Sequence, residues 1–145
     1  MIIEQADEVT DELLLALEHL IPQLGVNKTS PSREALTSLL RSEAPSLLIA
    51  RYPDRNGEIV GTLTLAVYRV PTGIRSIVED VIVDERFRRK GIARALIEHA
   101  IELAREAGAV GVALTSNPTR AAANLLYQKL GFQQRETNSY YLGLE

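Results

Sequence analysis

Five cations crowd the start of one helical stretch of this sequence, "DERFRRKGIARALIEHA", which runs from Asp84 to Ala100. They are Arg86, Arg88, Arg89, Lys90 and Arg94. The positive end of the helix dipole already lies there, so each of these charges is unfavourable by about 0.3–1 kcal/mol. The residues just before the helix also lack the Ser, Thr, Asp or Asn that usually caps its first amides. Open amides and flanking cations together predict an anion site, most simply for a phosphate or diphosphate.

Gly91 stands where the backbone would meet such an anion. Without a Cβ it permits a positive φ and a close approach of the ligand, and the small side chain of Ala93 leaves the first turn unobstructed. Two other phosphate-binding patterns are absent from the sequence, namely the Gly-Lys-Ser/Thr of the Walker loop and GxGxxG after a strand. The alternative interpretation is a solvated basic turn with water on the amides, helped by the nearby carboxylates of Asp84 and Glu85.

Composition limits the classes of function. The chain has 145 residues, 46% of them hydrophobic, and we expect residues 1–145 to form a single domain. Nineteen acids against 16 bases give a net charge of −3, which argues against nucleic acid as a partner. The sequence has no cysteine, and its two histidines, His19 and His99, lack metal-ligand spacing, so we expect no metal and place both at the surface or an edge. Without a long apolar run or a signal-like N-terminus, we expect no membrane contact and a cytoplasmic location.

Hydrophobic periodicity and turn signals predict an α/β fold, an α+β mixed sheet with helices on both faces and the element order β-α-α-β-β-β-α-β-α-β. The predicted strands are "MIIEQA", "SLLIARY", "EIVGTLTLAVYRV", "IRSIVEDVIVD", "VGVALTS" and the terminal "NSYYLGL". The predicted helices begin at Asp11, at Pro31 behind a Ser30 cap, at Gly91 and at about Pro118. The third helix should end at Gly108 and bury the apolar residues Ile92, Leu96, Ala100, Leu103 and Ala107.

The stretch "RRKGIA" resembles the Arg/Gln-x-x-Gly-x-Gly/Ala acyl-CoA signature of the GNAT family of N-acetyltransferases. Arg88, Gly91 and Ala93 occupy the marked positions. The strand "VEDVIVDE" before the signature and the segment "RAAANLLYQKLGF" after the next strand match that family in order and spacing. The resemblance covers residues 74–132 and implies a GNAT-like acyl-CoA N-acyltransferase fold, with acetyl-CoA as co-substrate and an amine as acceptor.

The resemblance also implies how the cofactor is held. The pantetheine arm pairs with backbone groups of Val81, Ile82 and Val83, between fourth and fifth strands that splay apart, often with a bulge. The amides from Arg89 to Arg94 take the diphosphate, and the arginines attract it from further away. The residues of that run are Arg89, Lys90, Gly91, Ile92, Ala93 and Arg94. Asn124 is a further expected cofactor contact, and Asn117 either contacts the cofactor or caps the helix after Pro118.

Three residues are the catalytic candidates that the resemblance implies. Tyr127 falls where the family has the tyrosine that protonates the departing thiolate, although its helical spacing also fits a core tyrosine. Glu79 and Asp80 are adjacent on a strand, so their side chains should point to opposite faces. Glu79 would then share its face with Val81 and Val83, which favours Glu79 as the general base. Ordered water is the alternative base.

These features predict an N-acetyltransferase that moves the acetyl group of acetyl-CoA to a primary amine of a small molecule or a protein. Because the chain has no cysteine, direct attack by the amine in a ternary complex is simpler than a ping-pong route. One alternative is an amino-sugar N-acetyltransferase similar to the glucosamine-phosphate branch. The other is a GNAT-like module that binds acyl-CoA without turnover. The sequence leaves the acceptor, the acyl length and a homodimeric state open.

Overall fold

The computed structural model describes residues 1–144 and divides them into two units, one spanning Met1–Thr115 and the other beginning at Ser116. The predicted mixed α/β class is confirmed. The strands are β1 (Ile2–Gln5), β2 (Pro45–Tyr52), β3 (Glu58–Val70), β4 (Gly73–Val83) and β5 (Val112–Ala113). The helices are α1 (Asp11–Leu20), α2 (Arg33–Arg41), α3 (Ile92–Glu106) and α4 (Ala121–Lys129). All but α4 belong to the first unit, and a single domain over residues 1–145 stays a prediction.

The five strands form one sheet in the order β1-β2-β3-β4-β5. Every neighbouring pair is antiparallel except β4 and β5, which run parallel. The parallel pairing is short, because Ser76 faces Val112, Ile77 faces Ala113, and no further pair follows. From Val78 to Val83, β4 therefore has a sheet neighbour only on its β3 side within the first unit. This is the parting of the fourth and fifth strands that the family resemblance implied.

One face of the sheet packs against α1 and α2. Strand residues Leu47, Ile49 and Ile82 point to this face and join one buried cluster with the apolar residues of both helices. Successive side chains of a strand alternate between faces, so Leu48 and Ala50 point the other way. The helical members of the cluster are Leu13, Leu17, Leu20 and Leu36.

The opposite face packs against α3, and Gly61 of β3 lies at the closest approach. A Cβ atom built on Gly61 would lie 3.3 Å from side-chain atoms of both Ile92 and Leu96. The buried residues of α3 are Ile92, Leu96, Ile97, Ala100 and Ala104. The predicted stripe was thus wrong at its C-terminal end, where Leu103 is only half-buried and Ala107 is exposed. With α1 and α2 on the other face, the predicted coverage of both faces is confirmed.

The first two helices have side-chain caps. Thr10 accepts a hydrogen bond from the Leu13 amide at 3.1 Å, and Ser32 accepts one from the Ala35 amide at 3.1 Å. The predicted start of α2 was therefore two residues early, since the cap is Ser32 and not Ser30. None of the helices in residues 1–144 combines the length and the apolar character that crossing a bilayer requires.

Three predicted elements differ near the C-terminus. The predicted strand "VGVALTS" is reduced to β5, since only two of its residues find a partner in β4. Helix α4 begins at Ala121, three residues after Pro118, and has no side-chain cap. The terminal strand "NSYYLGL" is wrong over its described residues, because residues 133–144 form no strand and Tyr140 and Tyr141 are exposed. A strand needs a neighbour for its backbone groups, and β-propensity alone does not supply one.

Candidate functional site

Helix α3 begins without a cap, as the sequence predicted. Its N-cap is Gly91, which has no side chain to accept a hydrogen bond, and the first intrahelical bond runs from the Ala95 amide to the Gly91 carbonyl. Within residues 1–144, no acceptor lies within hydrogen-bonding distance of the amides of Ile92, Ala93 and Arg94. The start of α3 thus presents unpaired donors at the positive end of a 15-residue helix dipole.

Gly91 adopts the left-handed conformation, with φ 78° and ψ 14°. A Cβ built there would meet no atom within 4 Å, so the space in front of the helix start is open to a ligand. Arg89 is also left-handed, with φ 65°, although it is not a glycine. Such a residue costs about 1–3 kcal/mol and is found chiefly where a loop is shaped for binding.

The cations around the helix start are not equivalent. Arg86 forms an ion pair with Asp84, at 2.8 Å between Nη2 and Oδ2, and Arg94 pairs with Glu98 on the helix surface at 2.6 Å. The ammonium of Lys90 lies 5.5 Å from the centre of the Tyr52 ring. Among the described residues, Arg88, Arg89 and Lys90 have no carboxylate partner within ion-pair distance. These three are the charges that an anionic ligand would neutralise.

Asp84 directly precedes this loop, and its side chain is fully buried. The Arg86 guanidinium, against the opposing effect of burial, lowers the pKa of Asp84 to about 2, with smaller contributions from the Arg86 amide and His19. The carboxylate oxygens of Asp84 accept hydrogen bonds from Arg86, and Nε2 of His19 lies 2.9 Å from Oδ2. The carboxylate consequently does not cap α3, and the alternative of a basic turn neutralised by Asp84 holds only for Arg86.

A β-bulge in β4 changes the predicted directions of Glu79 and Asp80. Thr62 of β3 pairs with Ile82 but Thr64 pairs with Glu79, so β4 carries one extra residue between these pairs. Asp80, inside the bulge, has a φ of 50°. Because paired residues share a face, Glu79 and Ile82 both point to the α1 side. The expectation that Glu79 shares its face with Val81 and Val83 was wrong, since Val83 pairs with Gly61 on the α3 side.

The backbone of β4 offers binding groups on its β5 side. The Asp84 amide donates to Val60 of β3, and the Ile82 carbonyl lies 3.0 Å from a Cβ built on Gly61. Backbone N–H and C=O groups alternate between the two edges of a strand from one residue to the next. Ile82, two residues before Asp84, therefore also directs its N–H and C=O towards β3. Val81 and Val83 direct theirs to the edge that β5 has left. Of the three residues expected to hold the pantetheine arm, these two have the suitable orientation.

In the second unit, Tyr127 is buried and its ring packs edge-on against Phe132 with 6.0 Å between ring centres. Burial raises the pKa of the Tyr127 phenol, with Arg120 opposing the shift. A tyrosine phenol is already protonated at neutral pH, as a proton donor must be, and the raised pKa makes it a weaker acid. The buried ring equally fits the core role that the sequence left open.

The two candidate asparagines make local hydrogen bonds. Asn117 Oδ1 accepts from both the amide and the hydroxyl of Thr119, at 3.0 and 2.8 Å. Asn124 Nδ2 donates to the Asn117 carbonyl at 3.0 Å. Asn117 shapes the turn before α4 and does not cap the helix, whose N-cap is Arg120. Asn124 keeps its side-chain oxygen available.

The structure thus brings one set of predicted residues together in a continuous part of the first unit. Val81 and Val83 end the free portion of β4, and the amides from Arg89 to Arg94 follow after one short turn. Tyr127, Asn117 and Asn124 belong to the second unit. Sequence reasoning missed the network around Asp84, since its partner His19 is 65 residues away and gives no local signal. His19 is half-exposed, and among residues 1–144 no three carboxylate or imidazole groups gather as metal ligands.

Known proteins similar to this chain were found by sequence and by structure. Residues 13–132 match the model of the acetyltransferase (GNAT) family. Glucosamine 6-phosphate N-acetyltransferase of Trypanosoma brucei brucei is 35% identical over 83 residues, which cover 55% of this chain and 54% of that protein. The ribosomal protein bS18 alanine N-acetyltransferase of Salmonella typhimurium is 36% identical over 62 residues, covering 43% of this chain and 42% of that protein. The matched segments span 28% to 54% of the length of such curated relatives.

Solved structures show the same fold over nearly the whole chain. An aminoglycoside acetyltransferase from an uncultured soil metagenomic sample, in complex with trehalose, superposes with a TM-score of 0.83. The match covers 99% of this chain and 95% of that one at 23% identity. At that identity the similarity shows the fold alone.

Asp84 should make stability depend on acid. A pKa of about 2 lies below its ordinary value of 3.8, so the unfolded chain takes up this proton first. The stabilisation is complete above the unfolded pKa and fades as the pH falls through the folded one. The advantage of wild type over Asp84→Asn in the free energy of unfolding should shrink by about 1–2 kcal/mol between about pH 5 and about pH 2.5.

Urea unfolding at several pH values measures this difference. Asp7→Asn, which removes one negative charge at an exposed position, is the matched control for the change in net charge. A constant difference for Asp84→Asn would contradict the lowered pKa of Asp84.

Proposed function

The chain belongs to the acetyltransferase (GNAT) family, and on that premise we propose that it transfers the acetyl group of acetyl-CoA to a primary amine. The observation that carries the proposal is the uncapped start of α3, where Gly91 leaves the amides of Ile92, Ala93 and Arg94 open. A diphosphate satisfies such donors and complements the helix dipole at once. Acetyl-CoA carries both this diphosphate and a transferable acetyl group.

Binding of the cofactor needs mainly backbone groups and nearby charge. The amides at the start of α3 hold the diphosphate, and the unpaired Arg88, Arg89 and Lys90 attract it. The pantetheine arm runs along the free edge of β4, where Val81 and Val83 direct their backbone groups. We propose that a backbone amide of this edge also polarises the thioester carbonyl, and the orientation of the strand supports Val83 or Val81 for that role over Ile82.

The reaction is a direct displacement. The neutral amine attacks the thioester carbon, a C–N bond forms, and the tetrahedral intermediate expels the thiolate as the C–S bond breaks. We propose that Tyr127 gives its phenolic proton to that thiolate. A thiol has an ordinary pKa of about 8.5, so the leaving group needs a well-placed donor more than a strong acid. The products are the N-acetyl amine and free CoA.

The proton lost by the amine passes to Glu79, Asp80 or ordered water. The bulge removes the earlier reason for preferring Glu79, because that residue points to the α1 side with Ile82 and not with Val81. Both carboxylates are exposed, and Asp80 lies in the distorted part of the bulge. We therefore retain the pair as joint candidates for the base.

The acceptor class is the finer part of the proposal. Relatives are named for acetylating glucosamine 6-phosphate and the alanine of a ribosomal protein, and a structural neighbour for acetylating aminoglycosides. All three acceptors present a primary amine. Six acids precede Lys28, and three of them form ion pairs, Glu4 and Glu12 with Arg51 and Asp11 with Arg33. The other three acids are exposed and would attract any cationic amine alike, so charge in this region does not select among these acceptors.

Release of CoA thiol in the presence of amines tests the activity. With acetyl-CoA, at least one member of a panel of glucosamine 6-phosphate, an aminoglycoside and an alanine-initiated peptide should raise the release rate about tenfold or more over buffer. Isothermal titration with acetyl-CoA is run in parallel. Binding without thiol release from any amine would overturn the enzyme and leave a binding module. Failure to bind acetyl-CoA would overturn the cofactor site.

Replacing Gly91 tests the anion site. Gly91→Val should raise the dissociation constant of acetyl-CoA at least about tenfold, because valine resists a positive φ and fills the open space before the amides. Gly108→Val is a matched control, since Gly108 has a φ of 80° at the other end of the same helix. Gly108→Val should lower the melting temperature about as much as Gly91→Val, because the backbone strain is equivalent. It should leave the acetyl-CoA dissociation constant within about twofold of wild type, because Gly108 is far from the start of α3. Equal affinities for all three proteins would exclude this site.

Replacing Tyr127 separates proton donation from packing. Tyr127→Phe should lower kcat at least about tenfold and change the acetyl-CoA dissociation constant less than about twofold, since only the phenolic proton is removed. Tyr68→Phe, at a partly exposed tyrosine of β3, serves as the control for loss of a hydroxyl. Unchanged turnover in Tyr127→Phe would assign Tyr127 to the core alone.

A further inference from the structure

We propose that Asp84 is a positioning residue for the diphosphate end of the cofactor. The segment concerned is the anion loop, defined as residues 85–91, which joins β4 to α3. Asp84 would fix this loop in the shape that leaves the α3 amides open, without touching the ligand. The inference rests on the proposed function, because it presumes that the start of α3 receives the diphosphate.

The backbone of Asp84 anchors the first turn of the anion loop. Its amide donates to the Val60 carbonyl of β3 at 2.8 Å, and its carbonyl accepts from the Phe87 amide at 2.8 Å. The side chain then reaches forward, and Oδ1 accepts from the Arg86 amide at 3.1 Å. These bonds set residues 85–87 in a short 3-10 turn directly after the sheet.

The carboxylate of Asp84 also controls the first cation of the loop. Arg86 donates through Nε to both oxygens, at 3.3 and 3.2 Å, and through Nη2 to Oδ2 at 2.8 Å. The pair neutralises a buried negative charge that would otherwise repel a diphosphate. It also holds the Arg86 side chain, so that Arg88, Arg89 and Lys90 remain the cations available to the ligand.

The end of α1 and the 3-10 turn that follows it, Ile21–Gln23, hold the same loop turn from the other side. His19 is bonded to the Asp84 carboxylate, and Gln23 accepts from the Glu85 amide at 3.0 Å. Gln23 in turn donates to the His19 carbonyl at 3.3 Å. The anion loop is thus fixed to β3 by one set of hydrogen bonds and to the end of α1 and the turn after it by another, with Asp84 taking part in both.

A pair of acetyl donors isolates this role. Acetyl-CoA contains the diphosphate, whereas S-acetylpantetheine carries the same thioester without it. Asp84→Asn should raise KM for acetyl-CoA at least about tenfold and leave kcat within about threefold, because the loss affects ground-state binding of the diphosphate. With S-acetylpantetheine, kcat/KM should stay within about threefold of wild type. Isothermal titration should show the same loss of affinity for CoA itself.

Two further variants accompany the test. Glu58→Gln removes the exposed second partner of Arg86, 3.4 Å away. It should leave KM for acetyl-CoA and kcat/KM for S-acetylpantetheine unchanged. Gln23→Ala keeps Asp84 but removes the bond to the Glu85 amide, and should raise KM for acetyl-CoA about threefold with no change for S-acetylpantetheine. Gln23→Ala therefore decides the matter should Asp84→Asn fail to fold.

The outcomes are distinguishable from failure of the proposed function. If wild type does not bind CoA, the cofactor site itself is wrong, and the inference falls with it. If wild type binds CoA but Asp84→Asn loses activity equally with both donors, Asp84 is merely structural and the inference alone is overturned. The inference is also overturned if Asp84→Asn folds and its KM for acetyl-CoA is unchanged. If Asp84→Asn does not fold, an unchanged KM for acetyl-CoA in Gln23→Ala overturns it.

Discussion

The site depends on the unpaired amides that open α3. A helix leaves its first N–H groups without intrahelical acceptors, and α1 and α2 meet this requirement with Thr10 and Ser32. At α3 the chain instead places Gly91, in a left-handed conformation, after a run of cations. The cost of this arrangement falls on the free protein, since the dipole and the charges of Arg88, Arg89 and Lys90 have no compensating anion among the described residues. The proposed site would bind an anion through backbone amides, the helix dipole and nearby cations, which accounts for the shortness of the sequence signature.

The sheet positions these amides relative to a free strand edge. Because β5 pairs with β4 only at Ser76 and Ile77, the remainder of β4 keeps one edge unpaired within the first unit. The bulge at Asp80 then resets the alternation, so that Val81 and Val83 direct their backbone groups to that edge just before the chain turns into α3. The sites proposed for an extended ligand arm and for its diphosphate therefore lie on consecutive stretches of one polypeptide segment.

The start of α3 could be predicted from the sequence, whereas the β-bulge and the contacts of Asp84 could not, for reasons that the residues show. The uncapped α3 start and the positive φ of Gly91 were predictable because they follow from local residue types. The bulge at Asp80 was not, since one extra residue in a strand leaves no compositional trace and reverses the faces assigned to its neighbours. Arg86 and Arg94 pair with carboxylates close in sequence, yet residue types alone do not show which cations of the cluster are paired and which are not. The contact of His19 with Asp84 depends on how α1 packs on the sheet, which periodicity does not determine.

Gly61 has a consequence for the height at which α3 lies above the sheet. A methyl group at this position would approach the Ile82 carbonyl to 3.0 Å and the side chains of Ile92 and Leu96 to 3.3 Å. Ile92 is the first residue of α3. A larger residue at position 61 would therefore push the start of α3 away from the sheet and so away from β4. The absence of a side chain at Gly61 therefore lets the start of α3 lie close to β4, and these two elements carry the backbone groups of the proposed ligand site.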